Sequence, residues 1–340
     1  MLKGAIIGAG KIAMTSHVPA YLSSRVGEKI KLVAGTDVTA DRRNDIASAV
    51  PGLNVYESIE EMMEKENPDF VDICVPPYLH SEIIGQILKY KKGIICEKPF
   101  TRTLDEAAEL KNKISDAGVP FVCCHQYKYS PIWTHFKDFA KSKKSDSKFF
   151  SQFNVFRLTA DVGYDKSAPD WRTIPEISGG GIMSDTGVHY LYLMRWFFGN
   201  PLNINVSDFT LRHTNYKVED TSLIILQFEN GVAEINLTWA SNQRHNSAFI
   251  TDGARSLNYY NDSLILNDSS NQTSYQMPDA SDKRTYISFY ENLFIDFADN
   301  FDNEKYSVDN LAEAYDTIKL LNLCYKSSLE TKQIKFEEGI

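Results

Sequence analysis

Three side chains define the chemistry open to this chain: Lys98 in Glu97-Lys98-Pro99-Phe100, and Asp185 and His189 in the run that follows Gly179-Gly180-Gly181. The spacing of Asp185 and His189 stacks both on one face of a helix. Their neighbours Met183, Leu191, Met194 and Phe197 are apolar, and a carboxylate and an imidazole kept in apolar surroundings are costly without partners. That cost argues for a use. Taking a hydride from a secondary alcohol needs a base for the hydroxyl proton and an acceptor beside the carbon. His189 suits the base, because small changes around an imidazole move its charge across working pH. Asp185 is expected to orient that imidazole or to bind a neighbouring substrate hydroxyl. Lys98, at the end of an apolar strand, is expected to hydrogen-bond the reacting oxygen and help relay its proton. Any one of the three alone reads as ordinary structure; the assignment rests on the set.

The elements that must position them begin with repeated strand–helix units over residues 1–125. Apolar strands are predicted at Leu2–Ile7, Lys31–Ala34, Phe70–Val75, Ile94–Cys96 and Phe121–Cys123, with amphipathic helices between. Ser58-Ile59-Glu60-Glu61 and Thr103-Leu104-Asp105-Glu106 have the form of capping boxes, and Gly118 followed by Pro120 stops the second of these helices. Short buried strands alternating with helices give an α/β domain, a doubly wound parallel sheet covered on both faces.

The first strand ends in Gly8-Ala9-Gly10-Lys11-Ile12-Ala13. Glycines there allow a tight turn and let the amides at the next helix N-terminus approach a pyrophosphate, so Gly8, Gly10, Lys11 and Ile12 are assigned to dinucleotide binding. Asp37 ends the second strand, where a carboxylate accepts hydrogen bonds from a ribose and repels a 2′-phosphate. NAD is therefore favoured, with NADP kept open by Arg42 and Arg43. The step from Gly10 to Asp37 is 37 − 10 = 27 residues, longer than the usual ~20, and polar Ser23–Lys29 is read as a longer loop. Val75-Pro76-Pro77 is read as part of the cofactor wall, with Glu97 and Lys98 beyond it, and His80 as the start of a helix.

Residues 126–340 read differently. A helix near Pro131–Lys141 leads into strands at Phe149–Leu158, Val206–His213, Ser222–Phe228, Val232–Trp239, Ala248–Asp252, Ser256–Tyr260 and Ser263–Leu266. Asn230-Gly231 is placed at a hairpin turn, and the polar tract Asn267–Gln276 is read as a surface loop. Helices are expected at Tyr286–Phe301 and Val308–Ser328, the last free to lie back on the first domain. This is an α+β domain with a large, mainly antiparallel sheet. A sheet that broad needs its far face covered, so a homodimer or homotetramer packed sheet to sheet is expected.

A net charge of −9 argues against a nucleic-acid surface or a polybasic membrane anchor, and the basic run Lys141-Ser142-Lys143-Lys144 is read as a solvated loop. No apolar run approaches the ~20 residues of a membrane span, and the first strand starts too early for a signal peptide to precede it. Cys74, Cys96, Cys123, Cys124 and Cys324 are odd in number and lack metal-ligand spacing, which reads as reduced core thiols in the cytoplasm. No metal is expected.

Taken together, Gly8–Ala13, Cys96-Glu97-Lys98-Pro99-Phe100, the triple glycine followed by Asp185, Gly187 and His189, His125-Gln126-Tyr127-Lys128-Tyr129-Ser130-Pro131 and the Phe228–Gly231 hairpin resemble the glucose–fructose oxidoreductase / inositol dehydrogenase family (Gfo/Idh/MocA) over nearly the whole chain. The resemblance implies Lys98, Asp185 and His189 as catalytic residues and a sugar, cyclitol or related polyol as substrate. Tyr127, Trp171 and Arg172 join these three as substrate contacts, Trp171 stacking on a sugar face. Tyr192 stands where many members carry an aspartate, so this chain's own specificity is expected to begin there; Lys128 replaces a frequent arginine. Two other functions keep the same residues or fold: a glycosidase that retains its nicotinamide through oxidation, elimination and re-reduction, and a non-catalytic sensor of nucleotide and sugar.

Overall fold

The computed structural model describes residues 1–142, 147–160, 170–268, 271–280 and 282–330. Its first sheet is wholly parallel, in the order β3-β2-β1-β4-β5-β6. The strands are β1 (Leu2–Ile7), β2 (Ile30–Thr36), β3 (Asn54–Tyr56), β4 (Phe70–Ile73), β5 (Gly93–Cys96) and β6 (Phe121–Cys123). β4 and β5 are buried at every residue, as strands covered on both faces must be. The order reverses at β1/β4, and there the strand ends open a crevice. Thr103 caps the helix Leu104–Ala117 by accepting a hydrogen bond from the Glu106 amide at 3.2 Å, and Ser58 does the same for Ile59–Glu66 from Glu61 at 3.1 Å.

Two local features depart from the sequence reading. β3 was not anticipated, because three half-exposed residues at a sheet edge carry no hydrophobic pattern. The supposed loop Ser23–Lys29 contains a turn of helix, Ser24–Gly27, capped by the Ser23 hydroxyl.

The second sheet runs β14-β13-β12-β11-β7-β10-β9-β8, built from β7 (Phe149–Phe156), β8 (Asn203–Phe209), β9 (Thr221–Phe228), β10 (Gly231–Thr238), β11 (His245–Thr251), β12 (Arg255–Tyr260), β13 (Ser263–Asp268) and β14 (Asn271–Gln276). All neighbours are antiparallel except β7 and β10, which are parallel. β14 corrects the reading of Asn267–Gln276 as loop: its polar residues complete a backbone ladder on the sheet edge, where solvent accepts polar side chains on both faces. The hairpin turn is Glu229-Asn230, with Gly231 already paired to Phe228. Gly231 is required instead by the close approach of β7, since a Cβ there would lie 2.3 Å from the Phe149 carbonyl oxygen. Lys141 and Ser142 end an exposed helical turn; Lys143 and Lys144 of the basic run, with residues 269 and 270 of the polar tract, lie outside the described residues.

The inner face of this sheet is covered by the helices Pro131–Ser142 and Val188–Phe198, whose Trp133, Phe136 and Tyr190 meet Phe153 of β7. An aromatic seam joins the two halves of the molecule. From the helix Tyr286–Asp299, Phe294 stacks on Tyr21 at 4.1 Å and Phe297 meets Phe70 at 5.2 Å. The helix Glu304–Glu330 packs on β6 and on Leu104–Ala117. Among the described residues no helix is long and apolar enough to cross a membrane.

Candidate active site

Two adjoining cavities follow from this topology. The larger, about 480 Å³, runs along the C-terminal ends of β1, β2 and β4 past Gly8, Gly10, Lys11, Asp37 and Val75-Pro76. Gly8 turns at φ +93°, where a Cβ would press on the Cys74 carbonyl at 2.7 Å. A Cβ on Gly10 would instead meet nothing within 4 Å and would point into open space at the cavity. A backbone loop kept bare at a helix N-terminus fits a pyrophosphate. Asp37 accepts hydrogen bonds from the Ala9 amide at 2.9 Å and from both the amide and hydroxyl of Thr39 at 2.9 Å. It therefore steadies the glycine loop while lining the cavity.

The second, about 130 Å³ in volume, opens from the first across Ile12, Val75, Trp171 and Arg172. It brings together Glu97, Lys98, Tyr127, Trp171, Arg172, Asp185 and His189. Lys98 donates to the Asp185 backbone carbonyl at 2.7 Å and lies 3.9 Å from the Asp185 carboxylate. Arg172 binds that carboxylate through Nε at 3.2 Å, while its guanidinium lies over the Trp171 ring at 4.3 Å. Burial works against the Asp185 carboxylate, but Lys98 and Arg172 outweigh it and hold the carboxyl below its ordinary range.

Asp185 does not orient His189. Asp185 sits in a π-helical turn, Met183–Gly187, ahead of the α-helix that carries His189, and its carboxylate is bound by Arg172 and by the Thr186 hydroxyl. The imidazole is held by stacking on Tyr127, ring centres 4.3 Å apart and 13° from parallel, and Tyr127 is fixed by its hydroxyl contact with Tyr286 at 2.9 Å. Burial, then the charge of Lys98, depresses the His189 pKa well below the ordinary value. His189 is therefore neutral at neutral pH, with Nδ1 sealed from solvent and without a hydrogen-bond partner among the described residues.

The triple glycine is a steric requirement. A Cβ on Gly180 would overlap the Tyr325 hydroxyl at 1.9 Å, and one on Gly181 the Glu219 carbonyl at 2.0 Å. Glu219 closes on this gap and accepts from the amides of Gly181 at 3.0 Å and Met183 at 3.1 Å and from the Tyr325 hydroxyl at 2.9 Å. It supplies the acceptor that the start of the helix lacks. Burial and Asp208 nevertheless push its carboxyl up to about 7.

Beneath Lys98 lies a buried network that sequence reasoning missed. His17 donates through Nδ1 to Asp72 at 2.8 Å and through Nε2 to Glu97 at 2.9 Å, and the hydroxyls of Tyr21 and Tyr290 add bonds to Asp72 and Glu97 at 3.0 and 2.6 Å. Burial alone would lower the His17 pKa, but Asp72 beside it reverses the sign and raises it well above the ordinary value. Glu97 is thereby held by donors on every side, and its own pKa, which burial would raise, is lowered by His17. Glu97 thus acts on the backbone that presents Lys98. His80 starts a helix, as anticipated, and braces two site loops: its Nε2 lies 3.0 Å from the Val75 carbonyl and Nδ1 3.1 Å from those of Pro99 and Phe100.

Arg157, Trp239, Arg244, Tyr286 and Tyr290 also line the second cavity without having been anticipated. A signal existed for one of them. Alternation along β7 buries Phe149, Ser151, Phe153 and Val155, and continuing it points Arg157 inward. Tyr192, expected to begin this chain's specificity, faces elsewhere. It is buried, stacks on His125 at 4.1 Å and donates to Glu313 of the last helix at 2.9 Å, with Lys128 3.9 Å from the same carboxylate.

The comparisons with known proteins agree with this geometry. The model of an oxidoreductase family with an NAD-binding Rossmann fold matches residues 2–125, and that of the GFO/IDH/MocA C-terminal domain matches residues 151–255. Oxidoreductase P35 of Formosa agariphila is 27% identical over 70% of this chain and 72% of its own length. D-Apiose dehydrogenase of Paraburkholderia graminis is 26% identical over 71% of this chain, which spans only 61% of that enzyme. The solved structure of levoglucosan dehydrogenase with NADH and levoglucosan shares the fold, with a TM-score of 0.81, 16% identity and 97% of each chain covered. Matched in both halves, this chain belongs to the Gfo/Idh/MocA family of NAD-binding oxidoreductases.

Proposed function

We propose that the chain oxidises one secondary hydroxyl of a sugar, cyclitol or related polyol, or reduces the corresponding ketone, with Lys98, Asp185 and His189 as its catalytic residues. The observation that carries this is the convergence of Lys98 and a neutral His189 on a cavity contiguous with the dinucleotide crevice. When bound, the nicotinamide supplies the hydride acceptor; every other task falls to side chains. Lys98 hydrogen-bonds the hydroxyl oxygen and stabilises the negative charge that develops there as the proton leaves. His189, kept neutral by burial and by Lys98, takes that proton on a free lone pair. Asp185 holds Lys98 and Arg172 in place, and Trp171 offers a face for a sugar ring. The names of D-apiose dehydrogenase and of levoglucosan dehydrogenase bound to its sugar support the substrate class.

In the crevice, Gly8, Gly10, Lys11 and Ile12 would hold the pyrophosphate and Val75, Pro76, Glu97 and Lys98 the nicotinamide end. Asp37 would bind the adenosine ribose and select NAD over NADP. The division of labour falls at residue 125, with 126–340 serving substrate and assembly. Half-exposed Phe150, Ile225 and Tyr260 on the outer face of the second sheet support a homodimer or homotetramer packed through it. Five buried free thiols support a reducing, cytoplasmic location.

The test is NADH formation across a panel of sugars and polyols. Lys98→Ala is expected to lower kcat/KM by about 10³-fold or more and His189→Ala by about 10²–10⁴-fold, with NADH still bound by both. Full turnover in both variants would reject the assignment.

A further inference from the structure

Among the described residues that line the second cavity, Arg157 stands apart in its charge partners. Lys98 pairs with Asp185, Arg172 with both Asp185 and Asp170, and Glu97 with His17, which Asp72 shares. Arg157, only 6% exposed, takes part in none of the ion pairs among the described residues. Its position is fixed by the sheet. β7 and β10 are parallel and β11 antiparallel to β7, so the end of β7, the end of β10 and the start of β11 meet at one rim, delivering Arg157, Trp239 and Arg244 side by side. The Arg157 amide donates to Thr238 at 2.8 Å and its carbonyl accepts from Ser241 at 3.0 Å, which pins the backbone. Its guanidinium is anchored through Nη1, to the Phe156 carbonyl at 2.8 Å, Asn246 Oδ1 at 2.7 Å and the His245 carbonyl at 3.3 Å. Among the described residues Nε and Nη2 find no hydrogen-bond partner, and they are not sealed from solvent.

A guanidinium so placed is expensive. Burying a charge without a counter-ion costs free energy, and here a second arginine lies close enough that burial and the Arg157 charge together lower the Arg244 pKa. The part left open, the Nε/Nη2 edge, presents two parallel N–H groups in one plane, the shape that matches the two oxygens of a carboxylate. Substrate and counter-ion are then the same molecule. Resting on the dehydrogenase reading above, we propose that the substrate is an acidic sugar or polyol, of the uronic or aldonic acid kind, whose carboxylate binds the open edge of Arg157 while a hydroxyl on the same molecule reaches Lys98 and His189. The carboxylate fixes which carbon faces the reacting side chains, because Arg157 belongs to the sheet and Lys98 to the crevice.

The test compares each of several hexuronates and aldonates with its own uncharged amide, in the same NADH assay. The wild type is expected to favour the acid by about 100-fold or more in kcat/KM, because the amide leaves the buried guanidinium without its partner. Arg157→Gln should collapse that ratio to within about five-fold, and Arg157→Lys, which keeps the charge but not the fork, should fall between. NADH binding by each variant reports that it has folded; if Arg157→Gln has not, the wild-type ratio decides the matter by itself. Equal rates for acid and amide in the wild type, or a preference for sugar phosphates over carboxylates, would overturn the proposal. If nothing in the panel is oxidised, the dehydrogenase reading has failed, and fluorescence of Trp171 and Trp239 in the enzyme–NADH complex then tests the anion site separately: tighter binding of the acid than of the amide sustains it, and no difference ends it.

Discussion

At the crevice of the first sheet, the ligand cavity is built on the glycine turn after β1, with its turn at Gly8 and bare Gly10, and on the ends of β2 and β4, which bring Asp37 and Val75 to it. At the rim of the second sheet, the wall is side chain: Arg157, Trp239 and Arg244 from three strand ends, Tyr127 and His189 from two further segments, Tyr286 from another. The first arrangement suits what every dinucleotide has in common: amides at a helix N-terminus for a pyrophosphate and a carboxylate for a ribose. The second recognises what differs among substrates, and so depends on residues drawn from across the chain. Between them stands Glu97-Lys98, whose two members face opposite ways: Glu97 into the buried network, Lys98 into the cavity.

The sharpest way to break this comparison is to remove the hinge between its two sides. Replacing His17 with leucine leaves Asp72 and Glu97 buried without their shared donor, and stripping one partner from a buried charged set costs about 3–5 kcal/mol. Chemical denaturation should show a loss of that size, together with a fall in kcat that NADH affinity does not share. The wild type should also show a pH signature. The folded His17 pKa is raised, so its contribution is fully present below the unfolded value near 6.5 and is lost as pH rises through the folded pKa. Loss of stability toward alkaline pH that is absent in the leucine variant identifies the network; an unchanged profile would remove His17 from it.

A second, smaller effect separates the halves directly. Gly10→Val adds a side chain whose Cβ would meet no described atom within 4 Å beyond its chain neighbours, so the fold has less to lose than the dinucleotide. NADH affinity is expected to fall by about 100-fold, near 2.7 kcal/mol, while the midpoint of thermal unfolding stays within a few degrees. A variant that unfolds instead would show the loop to be structural.

The same contrast explains how much could be read before the fold was known. Gly8-Ala9-Gly10 announces itself because its signal is local, glycines between a strand before and a helix after. Lys98 and the Asp185–His189 helix were legible because each carries its own short motif, even though they meet across 87 residues. His17 was not: its partners lie 55 and 80 residues away, and nothing local distinguishes it from any histidine on a helix. Glu219, 38 residues from the glycine it caps, was equally hidden. The π turn at Met183–Gly187 redirected Asp185 from His189 to Arg172, an outcome that regular α-helical spacing could not foretell. Tyr192 failed as a specificity residue because the helix bearing it buries its far face on His125 and Glu313.

Glu219 supplies the smallest effect and bears on the substrate side alone. Its carboxyl is pushed up to about 7 by burial and Asp208, above the ordinary 4.5. The folded state therefore holds a proton that the unfolded state has released between those values, and stability must decline as pH rises from about 4.5 to 7. By linkage the decline is at most about 3 kcal/mol, and less because the residue is only partly buried. Ionisation also strengthens the bonds from the Gly181 and Met183 amides, so the start of the catalytic helix tightens as the fold as a whole weakens. Glu219→Gln keeps an acceptor for those amides and cannot ionise. It should flatten the stability profile between pH 5 and 7 while leaving NADH affinity untouched, because the crevice of the first sheet makes no contact with this cap. A profile that keeps its slope in the glutamine variant would assign the pH dependence to another group and leave Glu219 a purely geometric cap.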